Sequence, residues 1–434
     1  MAGFVWGVAT SAYQIEGGAD ERGPSIWDTF TARPGTVKDG STGAVACDHY
    51  HRWPEDLALL GDLGVDAYRF SVAWTRVQPT GRGAPERRGL DFYRRIVDGL
   101  RERGIEPFVT LYHWDLPQAL EDAGGWRSRD TALRFADYAE HVHAALGDSV
   151  RFWATVNEPF VSAIAGYAEG RHAPGAREGH GALAAAHHLL LGHGLAVRAM
   201  RARGAGSYGI VLNQSPAVPV DGADAAARRF DLMLRRQFTE PLFGGAYPDD
   251  YADTYGALTD ASFRHDGDLD VIGTPLDYVG INYYYRRHVA AAPQPEQRTA
   301  DQIGVDVTRL PDVPRTGLGW PIEPHGLTEA LTDLVERYPG LPPVYLTENG
   351  CAYPEPHDDQ ERIAFLADHI EAMRKAIAAG VDVRGYFHWS LLDNFEWAHG
   401  YGPRFGLVHV DYETLVRTPK ASFAWYRDFI RAQG

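Results

Sequence analysis

Cysteine is nearly absent from this chain: Cys47 and Cys351 are the only two in 434 residues, far apart and in no metal-ligand spacing. That excludes a disulfide framework and makes a reducing cytoplasm the expected compartment. Cations are also short, with 42 Lys and Arg against 58 Asp and Glu, a net charge of −16. Such a balance opposes binding to nucleic acid or to an anionic membrane, and says nothing against a neutral ligand. No apolar run reaches eighteen residues, and the opening "MAGFVWGVATSAYQ" has no basic segment ahead of a long apolar one. Neither a membrane span nor a secretion signal is expected. No HExxH occurs among the histidine groups His141/His143 and His187/His188/His193, and the helix carrying His187 and His188 has no obvious carboxylate partner, so no metal is expected. Asp48, ahead of His49, Tyr50 and His51, reads as a helix cap. What the chain does have is 44% hydrophobic and 12% aromatic residues, enough for a large core.

Strand-like and helix-like runs alternate from end to end. Eight strand candidates are "FVWGVAT", "AYRFSVAW", "PFVTLYHW", "FWATVNEP", "YGIVLN", "YVGINYY", "VYLTENG" and "VRGYFHWSLLDN". Between them lie stretches such as "LDFYRRIVDGLRERG" and "ALRFADYAEHVHAAL", with apolar residues three and four apart, the helical period. Several close on glycine, at Gly64, Gly104 and Gly380, as a left-handed cap requires. Eight βα units predict an α/β fold, a single (β/α)8 TIM barrel over residues 1–434. Its excess length falls in connections near 32–46, 166–179, 249–274 and 290–324, predicted as long βα loops forming the mouth.

In such a barrel the C-terminal strand ends converge on one mouth. Gln14 and Glu16 follow the first strand; Arg69 lies on the second. His113, Trp114 and Asp115 end the third, and Asn157 and Glu158 the fourth. The fifth has Asn213 alone, which points to no chemistry. The sixth carries Asn282 and Tyr284, the seventh Glu348, and the eighth Trp389, then Glu396 and Trp397. A lone glutamate beside Asn349-Gly350 is ordinarily the first solvated residue of a loop. This ensemble is different: indoles that stack on sugar C–H faces, amides that bond hydroxyls, and two glutamates on opposed strands. Two carboxylates flanking a glycosidic bond are the working parts of most glycosidases.

"WGVATSAYQIEG", "YRFSVAW", "LYHWDLPQAL", "TVNEP", "GINYYY", "YLTENG" and "HWSLLDNFEW" occur in this order along the chain, and together they resemble a glycoside hydrolase family 1 β-glucosidase. The resemblance covers essentially the whole chain. It implies a retaining β-glucosidase acting by double displacement on terminal β-D-glucosyl residues, and also on β-galactosides and β-fucosides, with transglycosylation as a side path. Glu158 is implied as general acid/base and Glu348 as nucleophile. Arg69 and Tyr284 are implied to support Glu348. Gln14, His113, Trp114, Asn157, Asn282, Trp389, Glu396 and Trp397 are implied to hold the sugar, with Phe405 near its C6 and Trp320 as an aglycone platform. Substrates would be cellobiose, short oligosaccharides and aryl or alkyl β-glucosides, with no cofactor. Arg69 and Tyr284 should keep Glu348 ionised, while burial and the charge of Glu348 should raise the pKa of Glu158. Phe160, Leu318 and Cys351 depart from the family's usual Trp, Met and small aliphatic residue. The alternatives are a 6-phospho-β-glycosidase, against which an acidic Glu396 argues by repelling phosphate, and a non-catalytic sugar-binding relative.

Overall fold

The computed structural model describes residues 3–293, 295–296, 299–354 and 357–433. Eight parallel strands close into a barrel: β1 (Val5–Ala9), β2 (Ala67–Ser71), β3 (Glu106–Tyr112), β4 (Phe152–Asn157), β5 (Ser207–Asn213), β6 (Val279–Asn282), β7 (Val344–Asn349) and β8 (Val383–Trp389). Each pairs with its neighbours in chain order and β8 returns to β1, so the barrel has no free edge. All eight expected strands are present.

The outer layer follows from periodicity. The helix Arg87–Glu102 buries Phe92, Tyr93, Ile96, Val97 and Leu100, one stripe at helical spacing, against the barrel. The helix His180–Arg203, which carries His187 and His188, is instead buried on nearly every side and so shows no polar stripe in sequence. Gly64 ends the helix His49–Leu63 with φ +71°, a conformation that costs glycine nothing.

Inside the barrel, aromatic side chains plug the base. Phe108 stacks on Phe152 with ring centres 5.1 Å apart, and Tyr278, Tyr345 and Phe387 close around them. Glycine makes room for this plug: a Cβ on Gly7 would lie 2.4 Å from the Phe387 ring, and one on Gly385 2.7 Å from Tyr345. With the base filled, open space remains at the C-terminal mouth.

Three sequence expectations need correction. Asp48 does occupy the helix N-cap, but with φ +54° its carboxylate turns to His51 Nδ1 (2.5 Å) and leaves the helix amides uncapped. His187 does have a carboxylate partner: its Nε2 lies 2.8 Å from Asp268, which a distant loop delivers. The connections 249–274 and 290–324 are not plain loops. They contain the helices Tyr251–Tyr255 and Asp268–Ile272, and a strand, Val305–Asp306, that pairs with Arg287–Ala291 and through it with Ala217–Pro219. Both cysteines are buried free thiols. No described helix is long and apolar enough to cross a membrane.

Candidate active site

Two strands break their alternation where they reach the mouth. On β7, Tyr345 faces the barrel interior and Leu346 the outer layer, so strict alternation would send Glu348 outward. Pairing with β6 slips between Leu346 and Glu348, and the extra residue turns Glu348 into the mouth. On β4, Ala154 faces inward, and the register with β5 slips between Ala154 and Asn157. Asn157 therefore points in, and Glu158 follows with φ +45°, its amide donating to Val211 O (2.9 Å). Trp114 (φ +76°) and Trp397 (φ +54°) also adopt the left-handed region. Each such non-glycine residue costs about 1–3 kcal/mol, which the surrounding packing offsets. Glu348 is the penultimate residue of its strand, and it is buried.

The two carboxyl groups have different partners. Arg69 Nη1 donates to Glu348 Oε1 (2.6 Å) and the Tyr284 hydroxyl to Oε2 (2.8 Å). Asn282 Nδ2 donates to Glu158 Oε1 (2.7 Å). A relay joins the two sides: Arg69 Nη2 and Asn282 Nδ2 both donate to Asn157 Oδ1, at 2.7 and 3.2 Å. Arg69 has no exposed surface, and its burial is offset by further bonds to Thr110 Oγ1 and Thr347 O.

Around the carboxyls stands an aromatic wall of Trp114, Trp389, Trp397, Tyr284, Trp320 and Phe405, with His113 and Glu396 between them. Gln14, Arg69, Asn157 and Asn282 lie behind this wall with no exposed surface. Gln14 Nε2 donates to Asn394 Oδ1 (2.9 Å), Phe395 O (3.0 Å) and Glu396 Oε2 (3.3 Å), so it braces the loop after β8. The structure thus brings together every residue singled out for the site. Glu16 is not among them; it pairs with Arg76 and Tyr93. Asn213, uninformative in sequence, does belong: it lines the cavity and its side chain acts on Glu158. Its position at a strand end was the available signal. His172 and Tyr285, from loops, and Arg287, at the start of a short strand outside the barrel, also line the cavity with no such signal.

Protonation follows from burial and charge. Burial, then the Glu348 charge, pushes the pKa of Glu158 well above the usual carboxyl range, against the opposing pull of Asn282, Asn213 and Arg69. Burial and the charges of Glu348 and Glu158 raise Glu396 to about 8. This corrects the expectation that Glu396 stands as a full negative charge at neutral pH. His113 is held neutral by burial and by Arg69. Its Nε2 accepts from Asn157 Nδ2 (3.2 Å), which leaves the proton on Nδ1, a buried atom with no protein partner.

A stability prediction arises here. Because Glu158 holds its proton more tightly folded than unfolded, its contribution to stability is present below the ordinary glutamate pKa. It is lost as pH rises through the raised folded value. Glu158→Gln cannot titrate, so its melting temperature should gain on the wild type between pH 5 and pH 8 when both are measured by calorimetry. A difference that stays constant or shrinks with pH would show that Glu158 is ionised in the fold.

The model of the family described as glycosyl hydrolase family 1 matches residues 1–434. The chain is 47% identical over 440 residues to thermostable β-glucosidase B of Thermobispora bispora, covering 100% of this chain and 90% of that protein. It is 48% identical over 450 residues to a bifunctional β-D-glucosidase/β-D-fucosidase of Bifidobacterium breve, covering 99% and 97%. The crystal structure of a psychrophilic β-glucosidase from Micrococcus antarcticus superposes with a TM-score of 0.95 at 46% identity, covering 99% and 97% of the two chains. That of a β-glucosidase from Thermotoga maritima in complex with noeuromycin gives 0.94 at 43%, covering 100% and 99%.

Proposed function

The chain belongs to glycosyl hydrolase family 1, a family of retaining enzymes, and is a glycosidase of the β-glucosidase kind; from that premise we propose how its residues divide the work. Glu348 is the nucleophile and Glu158 the acid/base. The observation that carries this is the asymmetry of their partners: a guanidinium and a phenol on Glu348, a neutral amide and a raised pKa on Glu158. One carboxyl is equipped to stay charged, the other to hold a proton.

In the first step a Glu348 oxygen bonds to the anomeric carbon as the bond to the leaving oxygen breaks, and Glu158 gives its proton to that oxygen. The covalent ester removes the Glu348 charge, the second cause of the raised Glu158 pKa, so Glu158 becomes a ready base. In the second step a water gives Glu158 its proton, bonds to the anomeric carbon and displaces Glu348. An alcohol in place of that water gives transglycosylation. His113 Nδ1–H donates to a sugar hydroxyl, Glu396 binds others, and Trp389 and Trp397 face the glucosyl ring, with Trp320 beneath the aglycone. Trp114, whose Nε1 donates to Asn157 O (2.9 Å), holds the Asn157–Glu158 backbone in place.

Substrates on this reading are cellobiose, short oligosaccharides and aryl or alkyl β-glucosides, with β-fucosides as a second class. A 6-phosphate finds little welcome: the groups acting on Glu396 are Glu348, Glu158 and Gln14, with no cation among them.

Stereochemistry tests the scheme. Two inversions return the β configuration, so the first product seen by proton NMR should be β-glucose, before mutarotation. α-Glucose as first product would mean direct attack by water, with Glu348 reduced to a base.

A further inference from the structure

Two arginines, Arg171 and Arg287, stand in the wall of the active-site cavity. Arg171 is neutralised by an ion pair with Glu169. Arg287 is not neutralised. Among the described residues its guanidinium has no ion pair and donates no hydrogen bond, and its Nε is buried without a partner. The contrast with its neighbour is sharp: Arg286 engages Glu323, Glu329 and His325.

Arg287 is held in place all the same. It opens the strand Arg287–Ala291, its amide donates to Pro216 O (2.8 Å), and its guanidinium lies 4.4 Å from the centre of the Tyr285 ring. Tyr285 stacks on Trp320 (5.2 Å, 27°), Trp320 packs on Tyr284 (5.4 Å), and Tyr284 bonds Glu348. The nucleophile, the aromatic platform and the free cation are therefore joined by one continuous chain of contacts.

A partly desolvated cation is normally paired, because an unsatisfied buried donor costs about 1–3 kcal/mol. A planar guanidinium is also the side chain best matched to a carboxylate. The negative charge in the cavity wall is that of Glu348, since Glu158 and Glu396 hold their protons more tightly than ordinary carboxyls, on a protein of net charge −16. An anionic aglycone would be repelled by this field unless a local cation met it. We propose that Arg287 is a specificity residue that receives the carboxylate of an aromatic aglycone seated over Trp320 and Tyr285. The preferred substrates then include β-glucosides of hydroxyaryl carboxylic acids. The inference rests on the β-glucosidase reading above and extends it outward from the glycosidic bond.

The test compares kcat/KM for the β-glucosides of 3-hydroxybenzoate and of 3-hydroxybenzamide, a charged and a neutral aglycone of nearly equal shape. The ratio of the two is taken in the wild type, Arg287→Gln and Arg287→Lys, which cancels leaving-group differences. The carboxylate-to-amide ratio should fall about tenfold or more in Arg287→Gln, the loss expected for a charge-assisted hydrogen bond. It should be largely restored in Arg287→Lys and should shrink in the wild type at high salt. A ratio that Arg287→Gln leaves within about twofold of the wild type, by whatever factor both substrates fall together, would reduce Arg287 to a prop for Tyr285 and overturn the proposal. If the wild type cleaves neither glucoside yet hydrolyses 4-nitrophenyl β-glucoside, the proposal is overturned; if it hydrolyses none of the three, the β-glucosidase reading fails and takes this inference with it.

Discussion

Glu348→Gly should abolish hydrolysis of alkyl and aryl β-glucosides, and added azide or formate should restore cleavage of a dinitrophenyl glucoside. The variant removes the attacking oxygen and leaves a hole beside the anomeric carbon. It also leaves Arg69, fully buried, with an empty position at Nη1, although Asn157, Thr110 and Thr347 still hold its remaining donors. Breaking one side of a buried ion pair typically costs about 3–5 kcal/mol, because the remaining charge is uncompensated. The same small anion therefore repairs two losses. It neutralises Arg69, so the melting temperature should rise with azide in the variant far more than in the wild type. It also attacks the anomeric carbon by a single inversion, so the product should be the α-glucosyl azide. Recovery of the β-azide would assign the missing nucleophile to another residue.

Glu158→Ala should separate substrates by leaving group. An alkoxide cannot depart without a proton, so kcat/KM for an alkyl glucoside should fall by about 10²–10⁴-fold, the usual worth of a positioned acid. A dinitrophenolate departs with little help, so its kcat/KM should fall far less. Its kcat should still drop, because the second step then lacks a base. The pH profile carries the same information. The alkaline limb of kcat/KM for the alkyl substrate belongs to Glu158 and should lie above the ordinary carboxyl range, since burial and the Glu348 charge hold the proton on. With Glu158→Ala and the dinitrophenyl substrate, that limb should disappear. Equal losses on both leaving groups, or activity that keeps climbing well into alkaline pH in the wild type, would remove Glu158 from this role.

Much of this site could be read before the chain was folded, and the reasons are local. Parallel strands that feed single helices have one stable closed arrangement at this count, and the eight strands carry the β-branched, aromatic and alternating residues that mark them. Once the strands are placed, their C-terminal ends meet at one mouth. Arg69, His113, Asn157, Glu158, Asn282 and Glu348 are then neighbours although up to 279 positions separate them. Strand-end position was signal enough for Asn213 too, but an asparagine by itself names no chemistry, and its place beside Glu158 emerged only in three dimensions.

The sequence by itself determined the alternation of elements, the identity of the carboxylates and the amphipathic faces that bury the barrel, because each depends on residues close along the chain. Tertiary structure alone decided which way the critical side chains point and what charge they hold. An ideal period of two would aim Glu348 at the outer layer; the register slips on β4 and β7 depend on neighbouring strands, and no run of residues encodes them visibly. The charge state of Glu396 is set by burial and by two carboxyls brought from β4 and β7, so a residue that reads as a simple anion proves reluctant to ionise. The freedom of Arg287 has the same origin. Whether a cation is paired depends on what the fold places opposite it, and here the fold places an open cavity.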